Sequence, residues 1–332
     1  MATLSATHPT LLDLVKRQDP DGKIAKIVEI LTTTNEILED MVWAEGNLPT
    51  GHRTTIRSGL PAPTWRKLYG GVQPTKSRTV QVTDGCGMME AYAEVDKALV
   101  DLSTDPDAFR LSEDTAHIEG MNQEFSSTLF YGDESTSPEE FTGFDARFND
   151  QSAPNGENIL TSAATPDGND NSSIWLIGWG PNTVHGIYPK GSKMGLQMTN
   201  KGQVTVENID GSNGRMEAMR THYRWDCGLS VRDWRYVVRI NYDLEDIVKD
   251  GATGPVLGEL MRKAIRRIPS LGMSRLAFYA NRDTLDAIDA QAANKSTLAF
   301  RTQEEADGKL VNRFLGIPVR RCDAILSTEA GI

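Results

Sequence analysis

The chain has 332 residues, 39% hydrophobic and 24% charged, and no apolar run approaches 18 residues, which excludes disordered, collagen-like and membrane-spanning classes. Lys+Arg 35 against Asp+Glu 46 leaves a net charge of −11, which argues against a generic nucleic-acid coat because phosphate binding needs local positive charge. Three widely spaced cysteines, Cys86, Cys227 and Cys322, suggest neither a disulfide framework nor a zinc knuckle and fit a reducing cytosol.

Residues 1–20 carry no basic stretch followed by an apolar one, so no signal peptide is read. Residues 24–43 read as an amphipathic helix, with Ile24, Ile27, Val28, Leu31, Leu38, Met41 and Val42 at helical spacing. From 46 to 83 the helical period stops, while Gly and Pro recur and the flanks alternate weakly. An insert this long inside a compact domain implies a function, and it reads as an extended hairpin that packs elsewhere.

Residues 105–131 give the clearest helix. Asp105-Pro106 supplies an N-cap and a first-turn proline, and Gly132 stands at the C-terminal cap position. Leu111, Ile118, Met121, Phe125 and Leu129 form one apolar stripe; Ala116, Gly120 and Ser127, flanked by Glu113, Glu119 and Glu124, lie opposite. A mid-helix glycine costs about 1 kcal/mol relative to alanine, so Gly120 is either a point of close approach or a tolerated surface residue.

Residues 133–172 read as polar loop. Short strands follow at 174–179, 183–188, 195–199 and 203–208, then two alternating runs, Met219/Thr221/Tyr223/Trp225 and Trp234/Tyr236/Val238/Ile240, with a bend near Cys227-Gly228. The last third turns α/β. Pro255 opens a helix that stops before Pro269, 276–280 is a strand, Asn281 caps a helix to Ala293, and 310–321 form a last strand and turn.

The search for catalytic chemistry is nearly empty. The five histidines show no paired metal spacing, and His222, between Arg220 and Arg224, reads as a solvated strand face. Gly178-Trp179-Gly180 and Gly85-Cys86-Gly87 lack the helix and lysine of a phosphate cradle and read as turns. Residues 167–171 begin like a calcium loop but lack Gly at the sixth position and Glu at the twelfth. No catalytic, cofactor-binding or metal residue is assigned, and no cofactor is expected.

Charge segregation is the feature above background. Residues 46–83 hold six basic residues (Arg53, Arg57, Arg66, Lys67, Lys76, Arg78) and no acidic one, whereas 84–150 hold 17 acidic and 3 basic. Such an arm could fold back on its own chain, bind nucleic acid, or cross the acidic helix of a neighbouring copy. The third is a contact between different patches, which closes rings or builds lattices, and sequence physics leans towards it.

The same residues carry a family resemblance. The run 51–61 (GHRTTIRSGLP), Trp65-Arg66, Gly71-Val72-Gln73-Pro74 and Lys76-Ser77 look like the extended loop of tailed-phage major capsid proteins. The runs 90–97, 109–114, 129–133, 138–143 and 315–319 continue it over almost the whole chain. The chain is similar to capsid proteins of short-tailed double-stranded DNA phages, such as a Bordetella phage.

The resemblance implies an α+β Hong Kong 97 phage-type capsid fold. It has an N-terminal arm and helix (1–45), an extended loop (46–83), a peripheral domain (84–243) with a spine helix at 105–131, an axial domain (244–314) and a C-terminal return strand (315–332). The implied function is a non-enzymatic coat protein that assembles in the bacterial host cytoplasm, as hexamers and pentamers, into the icosahedral virion shell. That shell encloses DNA without sequence-specific binding and without a membrane. A cement or decoration protein and a portal are further candidate partners. The intersubunit arm would be Arg53, Arg57, Arg66, Lys67, Lys76 and Arg78, and its acceptor Glu113, Ala116, Glu119, Gly120, Glu124 and Ser127. Lys67 and Lys76 lie where some members crosslink, but no motif identifies a partner and no crosslink is expected. From another class, a soluble carboxylate-dependent hydrolase or carbohydrate-binding protein is the alternative.

Overall fold

The computed structural model describes residues 9, 35–162, 168, 170–207, 214–243, 256–294, 300–304 and 310–332. In chain order the elements are α1 (Ile37–Asp40), β1 (Trp43–Glu45), β2 (Gly51–Gly59), β3 (Arg78–Asp96), α2 (Lys97–Leu102), α3 (Pro106–Tyr131), β4 (Ile159–Thr161), β5 (Asn171–Trp179), β6 (Val184–Tyr188), β7 (Gln197–Glu207) and β8 (Arg215–Val231). Then come β9 (Val237–Asp243), α4 (Leu257–Arg267), β10 (Arg275–Ala280), α5 (Arg282–Asn294), β11 (Phe300–Glu304), β12 (Leu310–Phe314) and β13 (Ile317–Arg321). The described residues form two compact units, one within Met88–Ser127 and Gly195–Asp226, the other within Glu36–Gly87, Thr128–Met194 and Cys227–Ile332.

The larger unit is built around β5. All nine of its residues are buried, as expected of a near-continuous apolar strand covered on both faces. It pairs antiparallel with β9, Ile174 opposite Ile240, and with β10, Leu176 opposite Phe278. Side chains alternate along a strand. Ile174 and Leu176 therefore join Leu257, Leu260, Met261 and Ala264 of α4 in one core. Those four helix residues follow the i, i+3, i+4, i+7 rule that predicted the helix. The next positions, Trp175 and Trp179, meet an aromatic layer in which Phe130, Phe144 and Phe148 lie around Trp175 at centroid distances of 6.0, 5.7 and 6.2 Å. These phenylalanines pin the polar stretch after α3 to the sheet.

Buried charge clusters also tie this unit together. Asp40, at the end of α1, accepts a hydrogen bond from the Tyr279 hydroxyl (2.9 Å) and pairs with Arg275 (2.8 Å) and Arg320 (3.3 Å). Burial and the Asp40 carboxylate hold the Tyr279 phenol protonated, well above its ordinary range. Arg239 pairs with Glu329 of the C-terminal segment (2.8 Å) and with Asp145 (2.6 Å).

In the smaller unit α3 rests on alternate residues of β3 and β8. Phe109 packs with Val95, Leu99 and Val100, and Met121 with Ala93 and Tyr223. The predicted N-cap is present: the Asp105 carboxylate accepts from the Ala108 amide at 3.1 Å. At 1.5 Å per residue the helix is about 40 Å long.

Several expectations are corrected. The first helix does not reach residue 43: it ends at Asp40, and Met41 is already extended. Leu111 and Ile118 are exposed, at 66% and 41%, rather than core. The Val95–Val100 cluster takes Phe109, which lies about 200° around the helix from Leu111 at roughly 100° per residue. The two strands expected at 195–199 and 203–208 are one strand, β7, with a bulge at Asn200/Gly202. No bend occurs at Cys227-Gly228. Strand β8 continues to Val231, and the turn is a 3-10 turn, Trp234–Tyr236, capped by the Asp233 side chain.

Nor are the glycine clusters simple turns. Gly85-Cys86-Gly87 lies within β3 and Gly178-Trp179 within β5. A Cβ on Gly228 would stand 2.6 Å from the Gly85 carbonyl oxygen, so close backbone approach explains Gly228, whereas a Cβ on Gly85 would press on the Glu134 carboxylate at 3.1 Å. Residues 24–34, Asp167 and the first part of the expected axial domain, 244–255 with Pro255, fall outside the described residues.

Candidate functional site

The arm is a two-stranded ribbon. β2 and β3 pair antiparallel from Gly51↔Gly85 to Gly59↔Arg78, with an irregularity between Arg57 and Gly59. Its root is buried and its tip is not. At the root Asp84 accepts hydrogen bonds from Arg147 (2.9 Å) and the Ser230 hydroxyl (2.7 Å). His52, opposite Asp84, meets the ring of buried His185 edge-on, 5.8 Å between centroids.

Beyond Thr54 the side chains are half-buried or exposed, and from Leu60 to Val80 nearly all are exposed. Arg53, Arg57, Arg66, Lys67, Lys76 and Arg78 are all exposed, and among the described residues none of them makes an ion pair. Among the described residues, Arg53 alone of the six makes a side-chain hydrogen bond, donating to the Thr83 hydroxyl at 3.2 Å. The tip also exposes Leu60, Trp65, Leu68, Tyr69 and Val72. It turns at Tyr69, φ 61°, where the Gly70 amide donates to the Lys67 carbonyl.

The two histidines at the root should contribute acid sensitivity. Burial holds His185 down at about 4, helped by the charges of His52 and Arg232 and opposed by Asp84. Burial, then Arg232, likewise lowers His52. Both rings are thus neutral in the fold, whereas the unfolded chain takes up these protons below about 6.5. Stability is full above that value and falls as pH drops towards about 4. Thermal melting across this range should show the loss, and His185→Gln should flatten it; an unchanged acid limb would contradict the assignment.

On α3, Glu113, Ala116, Glu119, Gly120, Glu124 and Ser127 recur at spacings of three and four and share one face. Ala116, Gly120, Glu124 and Ser127 are exposed, and Glu113 and Glu119 half-buried. A Cβ on Gly120 would meet nothing within 4 Å, so this chain's own packing does not require the glycine. Ala116, Gly120 and Glu124 instead line an open groove of about 370 Å³ with Met89, Glu90 and Ala91 of β3 and with His117 and Met121.

Sequence reading missed the β3 side of that groove. Glu90 entered the reading only within the 90–97 run of the family resemblance, with no role assigned to it. The outer face of the β3/β8 pair carries Glu90 opposite His222 (3.2 Å) and Arg224 (3.7 Å), with His222 stacked on Tyr92. His222 therefore sits in a half-buried cross-strand ladder. Cys86, Cys227 and Cys322 are reduced thiols with no disulfide between them. Among the described residues no three His, Cys, Asp or Glu side chains are grouped to hold a metal ion.

The family described as major capsid protein GP7 matches residues 19–332. A chain in the near-atomic resolution structure of bacteriophage Epsilon15 is 35% identical, with a TM-score of 0.77, covering 100% of this chain and 99% of that one. The bacteriophage JBD30 capsid is similar at 9% identity and a TM-score of 0.45, over 89% of this chain and 93% of that one. Mycobacterium phage Adephagia matches at 9% identity and a TM-score of 0.41, over 68% and 96%. No curated protein matches.

Proposed function

Because the chain belongs to the major capsid protein GP7 family, has the Hong Kong 97 phage-type fold and builds an icosahedral phage head shell, we propose that its 46–83 arm is the clamp joining one copy to the next. It crosses the Glu113–Ser127 face of a neighbouring α3. The observation that carries this reading is the state of the arm itself: six exposed cations without ion partners among the described residues, and a tip of exposed apolar side chains. A large apolar patch rimmed by charge marks an interaction surface. Exposed ion pairs are worth only about 0–1 kcal/mol each, so charge would set register and direction while apolar contact supplies strength.

In this reading the chain divides as the resemblance implies, into arm 1–45, loop 46–83, peripheral domain 84–243, axial domain 244–314 and return strand 315–332. The role is structural rather than catalytic. Hexamers and pentamers form in the host cytoplasm, with a portal and a cement or decoration protein as further partners. A coat of net charge −11 repels phosphate and confines the packaged DNA without gripping it.

Gly120 tests the crossing. Gly120→Ala should stabilise the isolated subunit by about 1 kcal/mol through helix propensity, its Cβ meeting open space. Gly120→Leu should leave the subunit folded yet lower particle yield, since excess volume at a close contact costs roughly 1–3 kcal/mol and a shell repeats that cost at every equivalent contact. Melting of subunits beside particle counts measures both. Normal yield from the leucine variant would remove the crossing at this residue.

A further inference from the structure

The tip of the arm and the groove over Gly120 match in size and in charge. Trp65 is fully exposed, with Leu68 and Tyr69 beside it nearly so. A tryptophan offers roughly 150–250 Å² of surface for burial, and a few tryptophan, tyrosine and arginine side chains dominate the energetics of interfaces. Arg66 and Lys67 follow it directly and are exposed.

The groove has the complementary character. Met89, Ala91 and Met121 give it an apolar lining, Gly120 leaves it open, and Glu124 brings an exposed carboxylate. Its volume, about 370 Å³, is at the lower end of what accommodates a compact ring system. Methionine sulfurs adapt to irregular shapes and make favourable contacts with aromatic rings.

We propose that Trp65 of one copy seats in the groove beside Gly120 of a neighbouring copy, with Arg66 and Lys67 set against its Glu124. The assignment rests on the arm-clamp reading and adds the anchor residue and its seat. A second copy is the fitting occupant because the tip and the groove carry opposite charge and belong to the same chain, so every subunit of a repeating lattice supplies one of each.

The test has two parts. Trp65→Ala should weaken the contact about thirtyfold, the consequence of losing a strong anchor, and raise the protein concentration needed for particles accordingly; Trp65→Phe should lose less. An unchanged threshold for the alanine variant overturns the proposal. Independently, a benzophenone side chain replacing the Trp65 indole, in particles mixed from isotopically light and heavy subunits, should photo-crosslink to Met89–Ala91 or Ala116–Met121 of another copy. Crosslinks to any other surface overturn the seat. If charge reversal of the arm still abolishes particles in that case, the clamp stands without the seat. If charge reversal leaves assembly normal, both fall.

Discussion

Reversing Arg53, Arg57 and Lys67 to glutamate should give a subunit that folds and melts like the parent but forms no particles. All three side chains are exposed, and the only hydrogen bond lost is that of Arg53 to Thr83. Surface substitutions of this kind usually change stability by less than about 0.5 kcal/mol. The intersubunit effect should be far larger. If the arm crosses a neighbouring α3, each reversal would replace an attraction with a repulsion against a helix face bearing Glu113, Glu119 and Glu124, and like charges brought together across an interface cost several kcal/mol. Sedimentation separates subunits from shells, and circular dichroism follows folding in the same samples. Particles at normal yield would mean the arm is no clamp.

The second large effect lies far from the arm. Glu329→Ala should destabilise the subunit by roughly 3–5 kcal/mol, the usual consequence of removing one partner of a buried ion pair, with a fall in Tm on the order of 10 °C. The Glu329 carboxylate accepts from Arg239 at 2.8 Å, from Ser173 and from Tyr131. Arg239 is 1% exposed, stacked over Trp175 at 5.0 Å, and would retain only Asp145 as a counter-charge among the described residues. Burial and Glu329 together raise the Tyr131 phenol far above its ordinary range, so it stays a donor to that carboxylate. Glu329→Gln keeps much of the hydrogen bonding and should lose less. Equal melting of parent and alanine variant would show that the ion pair does not tie down the C-terminal segment.

What could be read from sequence was what is local. Asp105-Pro106 and Gly132 bracket α3 because capping chemistry acts within a turn, and Leu257, Leu260, Met261 and Ala264 mark the buried side of α4 because helical period is local too. The arm was legible through its charge, since six cations in a row of 38 residues without a carboxylate have no ordinary core role. Long-range pairs left no such trace. Glu329 and Arg239 are 90 residues apart, and Asp40 and Arg320 are 280; each looks like a surface charge until the fold buries it. Leu111 was misassigned for a related reason: an apolar residue on a helix faces inward only if another element covers it, and here α2 and the end of β3 cover Phe109 instead. The groove was half legible, because Ala116, Gly120 and Glu124 share a helix period while Met89 and Ala91 reach it from a separate strand.

The central claim is that the arm of one copy lies across the spine helix of the next. A cryo-electron microscopy map of the assembled shell, traced from Gly51 through the tip to Gly85, tests it most directly. Density for residues 60–77 should run over Glu113–Ser127 of an adjacent subunit. Density that follows the arm back onto its own chain, or into the DNA-filled interior, would contradict it.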